Sequence, residues 1–225
     1  MDNKTLKLLF FVSVDWYFYS HRFEFARRAI KKGYDVILVS SFKTYKTVIE
    51  SNGIKCVDFD IRRSSLNPFL TLLALIKLMK IYNKYKPDIV YQVALKPVLL
   101  GTIAAAISKT GYVVNTFGGL GFLIADNKNA KPGRWIVRNS LRIVCKLPRN
   151  IHFILQTQED LNAIIINEIA DEEKCSIIQG VGVNTKLFKR NGQEETKPIR
   201  ILFAARLIRP KGLTVLLDAS NLLLK

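Results

Sequence analysis

Acidic side chains are scarce in this 225-residue chain: 18 Asp and Glu stand against 35 Lys and Arg, for a formal net charge of +17. Such an excess attracts phosphates, whether of nucleic acid, anionic lipid or a nucleotide-linked substrate, and charge alone does not choose among them. Cysteine is sparse too. Cys56, Cys145 and Cys175 are odd in number, far apart and in no Cys-x-x-Cys pair, which argues against thiol-ligated metal or dithiol redox work. They read as buried free thiols in a reducing cytoplasm. No apolar run reaches the ~20 residues of a membrane span. The best candidate, LNPFLTLLALIKLMKIY, is interrupted by Lys77 and Lys80 and reads as a buried helix. The opening MDNKTLKLLFFVSV has the lysines and short apolar run of a signal peptide, but Asp15 follows at once without a small-residue cleavage site, so a strand is expected. No carboxylate pair presents itself as the acid and nucleophile of a glycosidase. Zinc-ligand spacing, an aromatic RNA motif and internal repeats are likewise missing.

What is present is apolar: 49% of residues are hydrophobic, enough for a substantial core and more than one average domain. Strand-length apolar runs alternate with longer helical patterns, the signature of a parallel sheet with helices on both faces. Strands are expected at 7–14, 35–40, 54–59, 88–93, 112–116, 151–156 and 175–179. Ser20 is placed to cap a first helix that leaves through a left-handed Gly33. Asn67 and Pro68 open another, whose lysines Lys77, Lys80, Lys84 and Lys86 crowd the end favoured by the helix dipole. Pro97 starts a third, and TQED at 157–160 reads as a capping box. The polar stretch 189–198 lacks an apolar anchor and reads as a linker. It divides a first domain, 1–188, from a new strand and helix over 199–225 that open a second, truncated Rossmann-like domain.

The segment ILFAARLIRPKG sets Arg206 at a strand end and Lys211 at a helix start, a geometry that delivers two cations and helical N–H groups to a diphosphate, or else forms a solvated basic turn. Upstream, GVGVNTKLF carries Gly180 and Gly182, suited to positive φ. In order and spacing, GVNTKLF, a polar gap, a strand and AARLIRPKGL resemble the domain junction of the family-four glycosyltransferases. The likeness extends through SHRFEFARRAIKKGYDVILVS, PDIVYQVALKPVLLGTIAAA and VVNTFGGLGFLI, and is similar to the branch that builds bacterial lipid-linked polysaccharides and glycans.

The resemblance implies the N-terminal half of a two-domain GT-B fold and a retaining transfer with an oxocarbenium-like transition state, without an obligatory protein nucleophile. It implies a UDP-sugar as donor substrate, neither cofactor nor metal, and a polyprenyl-diphosphate-linked acceptor at the inner face of the plasma membrane. Arg206 and Lys211 would neutralise the departing pyrophosphate. The family's donor-side glutamates would lie beyond Lys225, so the chain alone is expected to turn over little; under the alternative of a split gene, a separately encoded C-terminal half would be its partner.

Other residues join the candidate site. Gly118, Gly119 and Gly121 follow a strand at the carboxyl edge of the sheet, where open α/β sheets place ligands; they do not fit the dinucleotide fingerprint and either approach a sugar closely or form a tight turn. In DWYFYSH, Asp15 and His21 flank aromatics suited to a sugar ring, with helix capping the alternative for His21. Over 131–149, Arg134, Arg138, Arg142 and Lys146 recur every four residues with Trp135 among them and no acidic residue. Ile136, Val137, Ile143, Val144 and Leu147 fall opposite and should dock on the sheet, leaving a basic stripe to face an anionic membrane or plain solvent. A UDP-sugar 2-epimerase, an inactive or split-gene fragment and a nucleic-acid module are the competing functions; spread of the basic residues through α/β units argues against the last.

Overall fold

The computed structural model describes residues 5–60, 67–120, 132–183, 185, 188, 201–205, 207 and 211–223, without the side chains of Pro132 and Arg134. The chain divides into two compact units, Met1–Val181 and Gly182–Lys225.

In the first, seven strands form one sheet: β1 (Lys7–Val14), β2 (Asp35–Ser41), β3 (Lys55–Asp58), β4 (Ile89–Val93), β5 (Tyr112–Thr116), β6 (Ile151–Leu155) and β7 (Cys175–Ile177). The order is β3-β2-β1-β4-β5-β6-β7, and every pairing is parallel. Phe10 stands opposite Leu38 on one side and Tyr91 on the other. All seven expected strands form, most of them trimmed by a residue or two.

A strand covered on both faces needs apolar side chains in both directions, which is why β1 reads LLFFV without alternation. Leu8, Phe10 and Val12 pack with α1 (Asp15–His21), α2 (Phe23–Lys31) and α3 (Lys46–Ser51). Leu9 and Phe11 pack on the other face, with α4 (Pro68–Tyr85), α5 (Leu95–Ile107), α6 (Pro132–Val144) and α7 (Gln158–Ile166). Each such side chain, fully buried, contributes roughly 1.5–3 kcal/mol.

The caps explain the helix limits. Asn67 Oδ1 accepts from the N–H groups of Phe69 and Leu70, with Pro68 in the first turn. Gly33 exits α2 at φ +88. Ser20 is no cap: the chain turns helical directly after β1, so Ser20 lies inside α1 and its Oγ donates to the Trp16 carbonyl. Thr157 caps α7 by accepting from Asp160 N, but the Asp160 carboxylate turns away to another element instead of completing the box.

In the second unit α8 (Leu213–Leu223) forms, whereas residues 201–205 carry no strand and Ile201 and Leu202 are exposed. A strand is made by its neighbours, and none pairs with this segment among the described residues. No described helix is long and apolar enough to cross a membrane.

Candidate functional site

The order of strand addition reverses between β1 and β4, with β2 and β3 laid down on one side of β1 and β4 to β7 on the other, so the crevice outside their carboxyl ends is the topological switch point of the sheet. Three connections meet there: β1 into α1, β4 into α5, and β5 into the glycine loop.

Asp15, the first residue after β1, is buried. Its Oδ2 accepts from the backbone N–H groups of Lys43, Thr44 and Tyr45 at 2.9, 2.8 and 2.8 Å, and its Oδ1 accepts from Trp16 N at 2.8 Å. Burial opposes ionisation, but the four donors together outweigh it and hold the carboxyl below its ordinary range. Asp15 is therefore not presented as a ligand for hydroxyls or phosphate. It fixes the loop after β2 against the start of α1.

His21 is half-buried; its ring stacks on Tyr17 at 4.3 Å, nearly parallel, and its Nδ1 lies 3.2 Å from the Tyr17 carbonyl oxygen. Tyr17 in turn reaches the glycine loop: a methyl group built on Gly118 would stand 3.8 Å from the Tyr17 hydroxyl. The fold thus brings His21, Tyr17 and Gly118 together from two connections. Trp16, half exposed, meets Tyr17 edge-on. Gly119 adopts φ +114, where a side chain would be strained, and the buried Leu120 N donates to Asp160 Oδ1 at 2.8 Å. Gly121 lies outside the described residues.

Sequence reading missed the third connection. Ala94 sits at φ 80, ψ 161, a region that is otherwise nearly all glycine and costs about 1–3 kcal/mol. The strain is held by Ala94 N donating to the Thr116 carbonyl and Val98 N donating to the Ala94 carbonyl. It opens α5 beside the switch point, with Lys96 in the first turn, where partial burial lowers the ammonium pKa. A lysine followed by proline just after a strand was the available signal. Arg22 was missed as well: nearly buried, it donates to the His21 carbonyl at 2.9 Å and lies over the Tyr91 ring.

Contrary to the expectation that the chain holds no Asp-x-Asp element, Asp58-Phe59-Asp60 at the end of β3 is such a tripeptide. Phe59 is buried and both aspartates are exposed, and the described residues contain no cluster of three or more His, Cys, Asp or Glu able to hold a metal.

The basic stripe of α6 turns out differently from expectation. The helix docks through Val137, Leu141 and Val144, with Cys145 just beyond, while Ile136, Ile143 and Leu147 are exposed beside Trp135. The docking face is centred between the two arcs drawn from the sequence, because Leu141 and Cys145 lie on the cationic side and are the better buried pair. Arg138 is half-buried with its Nε unpaired, Arg142 is engaged by Glu168, and Lys146 is exposed. The Arg134 side chain lies outside the described part.

A cavity of about 420 Å³ lies elsewhere, lined by Cys145, Lys146, Glu168, Asp171 and Lys174 among others, near Ile151 at the amino end of β6. In the second unit Lys211 is exposed and precedes Gly212, at φ +78, and α8. Arg206 lies outside the described residues.

The family profile described as Glycosyl transferase 4-like matches residues 7–158. An N,N'-diacetylbacillosaminyl-diphospho-undecaprenol alpha-1,3-N-acetylgalactosaminyltransferase of Campylobacter jejuni is 25% identical over 204 residues, covering 84% of this chain and 53% of that protein. Among solved structures, a glycosyltransferase from Rickettsia africae superposes with a TM-score of 0.62 at 19% identity, covering 85% of this chain and 47% of its own. The Anabaena HepE structure in complex with UDP-glucose gives a TM-score of 0.55 at 17% identity, covering 81% and 45%. UDP-N-acetylglucosamine 2-epimerases share the architecture too. The chain thus spans about half the length of the proteins it matches.

Proposed function

Because the chain belongs to the glycosyl transferase 4-like family, we propose that it forms the acceptor-side half of a retaining glycosyltransferase. The reaction moves a hexosyl or N-acetylhexosaminyl group from a UDP-sugar to a polyprenyl-diphosphate-linked glycan in cell-surface polysaccharide or glycan biosynthesis. The observation that carries this reading is the span of the family match, which runs from β1 to the first residue of α7 and takes in all three connections at the switch point. The Campylobacter relative's name supports a lipid-linked acceptor, and the HepE complex supports a UDP-sugar donor.

In this reading Tyr17, His21 and the backbone at Gly118 and Gly119 receive the acceptor sugar, with Asp15 holding the connection rather than touching it. Arg206 and Lys211 neutralise the pyrophosphate as it leaves, which lowers the barrier without a bound metal or a covalent intermediate. The matched proteins are about twice as long, and a C-terminal half like theirs is proposed to complete the donor site. The protein works peripherally at the inner face of the plasma membrane, where exposed Trp135, Ile136 and Ile143 of α6, with Lys146 and Leu147 just past its end, meet anionic lipid.

The test is a transfer assay with UDP-N-acetylhexosamines, UDP-hexoses and polyprenyl-diphosphate glycans, run on the chain alone and with a C-terminal half added in trans. Lipid-linked product that needs the added half is the expected result. Epimerised UDP-sugar without acceptor would instead establish the 2-epimerase reading. Efficient transfer by the chain alone would remove the need for a partner.

A further inference from the structure

Arg22 is a buried cation without a counter-ion. It is 7% exposed, and among the described residues no carboxylate pairs with it. A guanidinium does not shed its charge on burial, and a buried charge without a carboxylate costs stability rather than adding it. What the side chain supplies is geometry.

Its backbone ends one helix and begins the next. Arg22 N donates to the Phe18 carbonyl at 2.8 Å, closing α1, and the Arg22 carbonyl accepts from Ala26 N at 2.9 Å, opening α2. The guanidinium then turns toward the sheet. Nη1 donates to the His21 carbonyl at 2.9 Å, Cζ stands 5.8 Å from the centre of the Tyr91 ring, and Nε has no partner among the described residues. Tyr91 is itself buried in β4, in register with Phe10 of β1 and Val114 of β5. Arg22 and Thr116 both hydrogen-bond the Tyr91 side chain. Thr116, buried, is the last residue of β5 and lies two positions before Gly118.

One chain of contacts thus joins the three connections at the switch point, running from Arg22 through Tyr91 on β4 to Thr116. Its ends carry the two walls assigned to the acceptor sugar. At one end His21 stacks on Tyr17; at the other, Gly118 comes within reach of the Tyr17 hydroxyl. The rigid fork of an arginine holds two partners at a fixed separation, which the single ammonium of a lysine does not.

We propose that Arg22 is a positioning residue for the acceptor, setting through Tyr91 and Thr116 the spacing between the His21–Tyr17 wall and the glycine loop. It acts through those residues rather than on the substrate. This deepens the proposed acceptor site and rests on that reading.

The test has two readouts. In the full chain labelled with 15N-glycine, Arg22→Lys and Tyr91→Phe should both move the Gly118 and Gly119 amide resonances and leave that of Gly53, beyond α3, in place. In the transfer assay, with a C-terminal half in trans and the donor and acceptor on which wild type is fastest, both variants should raise the acceptor KM at least tenfold. Donor KM and kcat should stay within threefold. That pattern marks lost acceptor binding, whereas a merely destabilised protein loses active molecules, which lowers the apparent kcat and leaves KM alone. The double variant should be no worse than the poorer single, because both changes break one chain. Tyr91→Phe keeps the ring beneath the guanidinium and carries the test should Arg22→Lys unfold. Arg27→Lys, exposed on α2 and paired with Glu24, should match wild type in both readouts. Unmoved glycine amides, or an unchanged acceptor KM beside an active wild type, overturn the positioning role and leave the acceptor-side reading standing. An effect of Arg22→Lys that Tyr91→Phe does not share overturns the route through Tyr91. No transfer by wild type to any acceptor overturns both.

Discussion

Asp160, in the first turn of α7, accepts a hydrogen bond at 2.8 Å from the backbone N–H of Leu120, forty positions earlier in the chain and inside the core. That bond clamps the glycine loop to a helix from the next strand-helix unit. Leu120 is fully buried, so water cannot replace the lost acceptor. Asp160→Ala should cost about 1–3 kcal/mol, with amide exchange at Leu120 accelerated more than at Val113 in mid-sheet. A variant as stable as wild type, with unchanged exchange at Leu120, would show that the bond holds nothing.

Asp15 couples the same edge to pH. Its carboxyl is held below the ordinary value by four backbone N–H groups that outweigh burial. The folded state therefore binds fewer protons than the unfolded state near pH 4, and stability rises with pH. The contribution is complete above the unfolded value near 3.8 and is lost as pH falls through the lower folded value. Asp15→Asn should be destabilised by roughly 2–3 kcal/mol at pH 7, with the gap narrowing below about pH 4. Thermal unfolding from pH 2.5 to 7 checks it; a gap independent of pH would mean that the cost is steric.

These two carboxylates mark where sequence reading stops. Strand positions were legible because a doubly covered parallel strand needs an unbroken apolar centre, as Leu8–Val12 of β1 and Val36–Val39 of β2 provide. Asn67-Pro68 and Gly33 announced helix ends through local chemistry that needs no partner. Asp15, a polar residue near a sheet edge, looks like a ligand, and Asp160 like the end of a capping box, until their partners, 28 to 40 positions away, are known. Ala94 hid for a different reason: alanine carries no sign of a glycine-like conformation, which is imposed by its bonds to Thr116 and Val98. On α6 the period was right and the centre of the buried arc was not, because Leu141 and Cys145 outweigh the exposed Ile136 and Ile143.

Beneath the switch point, Gly101 of α5 packs against a buried polar chain in which Asn115 Nδ2 donates to Thr102 Oγ1 and Thr102 Oγ1 donates to Gln92 Oε1, both at 3.2 Å. A methyl group on Gly101 would stand 2.7 Å from the Gln92 side-chain amide. Gly101→Ala should lose about 1–3 kcal/mol despite alanine's better helix propensity, since Gln92 has no exposed space to move into. Gly133→Ala, in α6 with nothing within 4 Å, should be neutral or gain up to ~1 kcal/mol. Paired urea melts decide: equal effects at the two glycines would mean that the crowding at Gly101 relaxes freely.

The three cysteines are free and shielded to different degrees: Cys145 is buried, while Cys56 and Cys175 are half-buried. Burial pushes the thiols of Cys145 and Cys56 up to about 12, and that of Cys175 to about 11. At pH 8 a thiol of pKa 12 is thiolate in only about one molecule in ten thousand, against roughly one in four for an ordinary thiol. Alkylation by iodoacetamide should therefore run on the order of a thousandfold slower in the native protein than in guanidinium for Cys56 and Cys145, with Cys175 reacting first. Peptide mapping after timed quenching reads the order directly. Native labelling of Cys145 at the denatured rate would mean that the end of α6 opens from the sheet or that reagent reaches the thiol through the cavity it lines.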